Sequence, residues 1–326
     1  MGVSVMKKFF AAFLAAGTLL FASNVNAEIQ VYEGTDEYIM SEFETPDVAK
    51  QRAKQKAERM AIEKAGVFIE STTEVANMMV TKDEIITMTG GILKLVENPQ
   101  YQMIPMEDGS TFRVRATVKA QIDTDDITKW LNRNAGERSE IVKQNRELQK
   151  AMEEQDRQIA ELKAKLADAN SAQDKEKISE QFAAEDKTFM ANQKLQDALK
   201  FYYAGNLSGA MNSCTESLSL NSNSALAYSL RGTIYYQLGQ YPAAVADLNR
   251  AGDLNSTDEK IFYNRALANI KLQNYRAAAD DLTIAIQLNP NDADAYYNRA
   301  LCYQRLGNFM QFNADMAKAR SLGYSG

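Results

Sequence analysis

The chain has 326 residues, with 43 Asp and Glu against 37 Lys and Arg, no histidine, and a formal net charge of −6. A mildly acidic surface is a poor partner for nucleic acid or anionic lipid. Without histidine, the commonest general base, the serine and cysteine triads and most zinc sites are out of reach. Binding is favoured over catalysis.

In chain order, residues 1–27 read as a secretory signal. Lys7 and Lys8 form a short basic flank, Phe9–Phe21 an apolar run, and Val25-Asn26-Ala27 a cleavage site. The run is too short to cross a bilayer comfortably, and no cysteine follows the cut to carry a lipid. Its removal takes away two lysines and no acid, moving the net charge from −6 to −8. The expected location is the periplasm or the extracellular space, with association to the outer membrane open. The remaining length allows two or three domains.

Residues 28–133 pattern as a compact α+β domain. Thr45-Pro46-Asp47 starts a helix with a cap, a proline in the first turn and an acid near the dipole. Ala49, Ala53, Ala57 and Ala61 form a small-residue ridge suited to close packing on a sheet, and Gly66 predicts the helix stop. Val67–Thr73 reads as a strand, Asp83–Thr89 as a short helix, Gly90-Gly91 as a turn and Ile92–Glu97 as another strand. Tyr101–Met106 and Thr111–Ile122 flank the hairpin signal Asp108-Gly109. The second arm alternates, with Phe112, Val114, Ala116, Val118, Ala120 and Ile122 on one face. Asp125–Leu131 predicts a final helix. Asp123-Thr124-Asp125-Asp126 lacks the glycine and glutamate of a calcium loop and reads as a helix cap. This order of features resembles the N-terminal domain of flagellar assembly protein T and related small outer-membrane lipoproteins. The resemblance implies an envelope structural module without catalysis.

Residues 134–188 are highly charged and support a heptad frame. Ile141, Leu148, Gln155, Leu162 and Ala169 fall at d; Asn145, Met152, Ile159 and Leu166 fall at a. This predicts a coiled-coil spacer, with a homo-oligomer through residues 138–170 as one outcome and a lone solvated helix as the other.

Four blocks of 34 residues follow: Ala191–Ser224, Ala225–Asp258, Glu259–Asp292 and Ala293–Gly326. Block position 8 is Ala198, Gly232, Ala266 and Ala300; position 20 is Ala210, Ala244, Ala278 and Phe312. Position 24 is Cys214, Leu248, Leu282 and Met316, and position 27 is Ser217, Ala251, Ala285 and Ala319. This pattern resembles the tetratricopeptide repeat family, whose helix-turn-helix units bury their apolar faces only by stacking. Lys194 and Phe312 depart from the pattern in the two end blocks, where capping is expected. Cys214 and Cys302 sit in the first and last blocks, too distant for a disulfide, and read as small core hydrophobes.

The predicted fold class is therefore multidomain: an α+β domain, a coiled-coil helix and an all-α solenoid of four repeats. The family resemblance implies a groove lined by positions 2, 5, 6, 9, 12 and 13 of each first helix. Those positions supply Tyr202, Tyr236, Tyr263 and Tyr297, the amides Asn264 and Asn298, and the cations Lys271 and Arg305. Tyrosine offers contact area at low entropic cost, although some of these rings have an equal use packing between repeats. Position 2 reads Asn192, Leu226, Lys260, Asp294, which does not complete a lysine clamp for a C-terminal carboxylate. The expected role is a non-enzymatic scaffold holding a peptide or protein, without cofactor or metal, in envelope assembly or division. Signal, coiled coil and terminal repeats together resemble the periplasmic cell-division coordinator of the Tol–Pal system. The alternative is a structural part of a flagellar or other outer-membrane machine, docked through residues 28–133.

Overall fold

The computed structural model describes residues 29–75, 80–107, 111–133 and 135–324. The signal-like residues 1–27 and the Asp108-Gly109 turn lie outside them. The chain divides into two compact units between Lys143 and Gln144.

The first unit runs β1 (Ile29–Ile39), α1 (Pro46–Val75), α2 (Lys82–Ile92), β2 (Lys94–Leu95), β3 (Gln100–Pro105), β4 (Phe112–Asp123) and α3 (Thr124–Leu131). β4 is the centre of an antiparallel sheet, with β1 along one side and β2 and β3 sharing the other. The alternation on β4 holds from Val114 on: Val114, Ala116, Val118, Ala120 and Ile122 are fully buried, while Phe112 at the start of the strand is exposed. Ala49, Ala53, Ala57 and Ala61 of α1 join Val114, Ala116 and Val118 in one core. The opposite face of the sheet carries polar pairs at its middle, with Thr35 bonded to Thr117 at 3.0 Å and Glu37 paired to Arg115 at 2.6 Å, and exposed Ile29, Val31 and Ile39 toward the ends of β1. Because the helix ridge is only a methyl deep, the β1 backbone comes directly onto it. A Cβ added to Gly34 would lie 1.9 Å from the carbonyl oxygen of Ala57.

Several expectations for this unit are corrected. Gly66 does not end α1, and Val67–Thr73 is helical rather than a strand. The ridge continues through the fully buried Ala65 and Ile69. Gly66 marks where α2 passes, since a Cβ there would meet Ile85 Cγ2 at 3.6 Å. Gly90-Gly91 lies inside the last turn of α2, so the strand read from Ile92 shortens to β2. β1 is a strand in a stretch to which no element was assigned. The Asp123 cap is as expected, its carboxylate accepting from the Asp125 N–H at 2.9 Å.

α4 (Ala135–Asp168) carries the chain from the first unit into the second. A three-residue connection leads to α5 (Ala172–Tyr203), capped by Ser171. From Gln144 onward, α4 packs antiparallel on α5 as a helical hairpin. Gln144 accepts from the Tyr203 hydroxyl at 2.6 Å, and Gln155 donates to the Glu185 carbonyl at 2.8 Å. Residues advance on one helix as they recede on the other. Of the heptad positions in this stretch, Leu148, Met152, Gln155, Ile159 and Leu162 are buried within this single chain, while Asn145, Leu166 and Ala169 are partly covered. The seam offered for self-association is thus covered by a helix of the same chain, because a heptad pattern specifies a partner helix without saying which one.

The second half of α5 is the first helix of repeat 1, completed by α6 (Leu207–Leu220). Then come α7 (Ala225–Gln237) with α8 (Tyr241–Leu254), α9 (Glu259–Lys271) with α10 (Tyr275–Leu288), and α11 (Ala293–Arg305) with α12 (Phe309–Ser321). The repeat positions explain the packing. Ala198, Ala266 and Ala300 are fully buried, and a Cβ on Gly232 would come within 2.8 Å of Leu248 Cγ, so position 8 must stay small. Leu248, Leu282 and Cys214 are likewise fully buried. Burial pushes the Cys214 thiol up to about 12 and the Cys302 thiol up to about 11, consistent with inert core residues.

An ion-pair ladder joins the repeats. Arg231, Arg265 and Arg299 each form a two-pronged bond to an aspartate of the same repeat: Asp247, Asp281 and Asp315. Each arginine also reaches back to the preceding repeat, to Thr215 at 3.4 Å, Asn249 at 2.9 Å and Thr283 at 3.1 Å. Repeat 1 has Asp197 and Ser213 at the equivalent places, so the ladder begins at repeat 2. Among the described residues no helix is long and apolar enough to cross a membrane.

Candidate functional site

Hydrogen bonds between the first helices of neighbouring repeats define one continuous face. Gln237 on α7 donates to the Tyr202 hydroxyl of α5 at 2.8 Å. Asn264 on α9 donates to Thr233 of α7 at 3.2 Å, and Asn298 on α11 donates to the Tyr263 oxygen of α9 at 3.1 Å. We call this the A face. Every one of these residues occupies a position expected to line the groove.

The tyrosines divide their atoms between two jobs. The rings of Tyr202, Tyr236 and Tyr263 pack against the apolar clusters between helices. Tyr202 meets Tyr203 edge-on at 5.3 Å, and Tyr236 lies 5.6 Å from Tyr241. The hydroxyls of Tyr202 and Tyr263 take the bonds along the face, as suits a residue with an apolar body and a polar tip. Tyr297 differs. Tyr324, which follows α12, stacks on its ring at 4.1 Å, so this residue is covered from within the chain.

Tyr263 is the best-defined polar point. Burial raises its phenol far above the ordinary value, and the carboxylates of Asp294 and Asp292 push it further. It therefore stays neutral at any working pH. Asn298 donates to its oxygen, which leaves the phenolic hydrogen for an acceptor. The Lys260 ammonium lies 5.6 Å from the ring centroid. Asn264 and Asn298 both spend their amide hydrogens on neighbours, which turns their carbonyl oxygens toward the role of acceptor. Side by side, a phenolic donor and two amide acceptors suit a peptide backbone, which offers alternating N–H and C=O groups. Lys271 and Arg305 are exposed at the far ends of α9 and α11.

Tyr263 and Asn298 thus come together, with Asn264 next in sequence reaching back to Thr233, whereas Tyr202 stands at the other end of the face and Tyr297 is occupied. Thr233 and Lys260 belong to the same surface and were not singled out; both fall on groove positions 9 and 2, so the repeat frame alone identifies them. Among the described residues, no group of three or more cysteines and carboxylates could hold a metal ion.

A stack of helix pairs with hydrogen bonds linking its first helices defines a helical-repeat module. Sequence models then identify residues 232–273 as a TPR repeat and residues 283–311 as a tetratricopeptide repeat, so the chain carries tetratricopeptide repeats. Comparison with curated proteins gives no match. Among solved structures, this chain is similar to a crystal structure of the MamA protein, at 22% identity over 40% of this chain and 72% of that chain, TM-score 0.39. A second MamA crystal structure matches at 20% identity, covering 47% of this chain and 95% of that chain, TM-score 0.40. The first TPR of Spaghetti (RPAP3), solved with the HSP90 peptide SRMEEVD, matches at 22% identity over 37% and 95% of the two chains, TM-score 0.36.

Proposed function

We propose that the chain is a non-enzymatic scaffold that holds a peptide or protein segment on the A face of repeats 3 and 4. The observation that carries this reading is the cluster of Tyr263, Asn264 and Asn298, a neutral donor beside two amide acceptors on adjacent first helices. The setting we propose is the periplasm or another compartment outside the cytoplasm, in envelope assembly or division. It rests on Lys7-Lys8, the apolar run Phe9–Phe21 and the Val25-Asn26-Ala27 site. In-cell crosslinking followed by pull-down tests the binding role. Tyr263→Ala with Asn264→Ala should lose captured proteins that the unaltered chain retains; an unchanged set overturns the reading.

A second reading, a structural part of a flagellar or outer-membrane machine, draws on β1. This edge strand exposes Ile29, Val31 and Ile39 by about half, at 54%, 56% and 49%, and an apolar edge invites pairing. Under that reading the double alanine change leaves assembly intact, and deletion of residues 28–133 abolishes it.

A further inference from the structure

The A face has two unlike halves. At positions 2 and 6, repeat 2 carries Leu226 and Leu230, while repeats 3 and 4 carry Lys260 and Asn264, then Asp294 and Asn298. Leu230 is 3% exposed although its equivalents in the later repeats are only partly covered. What covers it belongs to the same chain. Leu148 and Met152 of α4 form one apolar cluster with Leu195 and Leu199 of repeat 1 and Leu230 of repeat 2, with Leu226 packed against it. The hydroxyl of Tyr203, at position 13 of repeat 1, is bonded to Gln144. α4 therefore lies on groove positions of repeats 1 and 2, in the place a ligand would take.

α4 places Leu148 and Met152 there, and its buried residues, spaced alternately four and three apart, continue through Gln155 along the part of α5 that precedes repeat 1. One of them fits badly. Gln155 is 3% exposed and gives its amide hydrogens to Glu185, but its carbonyl oxygen is buried without a hydrogen-bond partner. A buried acceptor left unmatched weakens the association that buries it.

We propose that the A face of repeats 1 and 2, continued by the part of α5 that precedes repeat 1, is a helix-binding surface, that α4 is its resident and displaceable occupant, and that the ligand replacing it is an amphipathic helix of another protein. The replacing helix has the same four-three apolar spacing and an apolar residue where α4 has Gln155. The tether favours the resident, because the three-residue connection to α5 holds α4 at high effective concentration. A second copy of this chain brings the same Gln155 and faces the same tethered competitor, so it gains nothing by exchanging. A partner with a better residue at that position does. α4 is thereby an internal brake on half of the groove.

The test uses the full chain and a fluorescent synthetic peptide of residues 144–166 carrying Gln155→Leu, read by anisotropy. Leu148→Ala with Met152→Ala in the protein keeps helix propensity while loosening the resident helix. It should raise peptide affinity about tenfold or more over the unaltered chain. Gln155→Leu in the protein should do the opposite, lowering peptide affinity about threefold or more by seating α4 more firmly. Asn298→Ala, whose amide bonds run to Tyr263 and Asp294 in repeats 3 and 4, should leave this affinity unchanged, which separates this surface from the polar one proposed above. Equal affinity across the α4 variants overturns the proposal, as does absence of binding to the loosened protein when its circular dichroism is native. A dimer of the unaltered chain in light scattering also overturns it, since the occupant is then a second copy.

Discussion

In the first unit, sheet and helix share a small-residue core whose closest point is one backbone approach, with Gly34 of β1 lying on Ala57 of α1 and no side chain between them. In the repeats, the same task of joining layers is spread over Arg231–Asp247, Arg265–Asp281 and Arg299–Asp315, three copies of one contact. A unique close approach cannot be varied, whereas a repeated contact can be lost once while its neighbours stand. The A face follows the second pattern: it changes from apolar to polar along repeats whose cores stay alike. The units can also be followed separately. Trp130, the one tryptophan, is buried in the first unit, and most helix lies in the second.

Gly34→Ala should give the largest effect. The new methyl meets backbone at 1.9 Å, and neither the helix nor the strand has a flexible side chain to move aside. Destabilisation of about 3 kcal/mol or more is expected. It should appear as early urea unfolding by Trp130 fluorescence while the helical circular dichroism of the repeats holds. Loss of both signals together would mean that the units do not stand independently.

Arg265→Ala comes next. It strands Asp281, 6% exposed, with only the Asn269 amide at 3.4 Å, and it removes the bond to Asn249 of the preceding repeat. Because the arginine side chain is 18% exposed, the cost is set at about 2 kcal/mol, below that of a fully buried pair. The helical transition should shift and Trp130 should not respond. Arg265→Lys restores charge but not the two-pronged geometry, so it should recover only part of the loss.

Each repeat turns between its helices at position 15 with a left-handed backbone: Gly205, Gly239 and Gly307 in repeats 1, 2 and 4, but Gln273 at φ 62° in repeat 3. Glycine takes this conformation without the steric cost a side chain incurs. Gln273→Gly should therefore stabilise the repeats by up to about 1 kcal/mol, raising the midpoint of the helical transition. A fall in midpoint would show that Gln273 is held by contacts that outweigh its strain.

These contacts were unequally legible in the sequence. Period carries the repeat cores, so Ala198, Leu248 and Leu282 could be placed from spacing alone, and alternation carries β4. The arginine ladder shares that period at positions 7 and 23, yet charged residues considered one at a time look like solvated surface. β1 has no such signal: its inward residues include Gln30, Gly34 and Asp36, so nothing alternates. Gly34 is small for the sake of a neighbour that sequence does not show; at Gly66, where a Cβ would make only ordinary contact with α2, a helix stop is the nearest local explanation for a glycine that lies inside a helix. Of the candidate site, the groove positions were legible; the filling of half of them by α4 and the cover of Tyr324 on Tyr297 were not. Both depend on where a distant segment lands.

The smallest effect concerns pH and the first unit alone. Glu84 closes a capping box with Thr81, accepting from the Thr81 N–H at 2.9 Å, and it pairs with Arg138 at 3.2 Å. Arg138 in turn lies 5.8 Å from the Trp130 ring centroid and donates to the Leu131 carbonyl at 3.0 Å. Burial by itself would raise the Glu84 carboxyl, but the bonds from Thr81 and the Arg138 charge outweigh it and hold the group below its ordinary 4.5. A lowered carboxyl favours the folded state only where the unfolded chain would be ionised as well. The contribution is therefore complete above about pH 4.5 and is lost as pH falls through the lower, folded value. Cap and surface pair together make it about 1 kcal/mol or less. Glu84→Gln should lower the neutral-pH midpoint seen by Trp130 by that amount and flatten its decline in acid, while the helical signal of the repeats keeps its own pH profile. If the Trp130 midpoint of the Glu84→Gln variant still falls as steeply below pH 4.5, the acid sensitivity of this unit moves to another carboxylate, with Asp126, held down by Lys94 and Lys129 against a burial that raises it, the next to change.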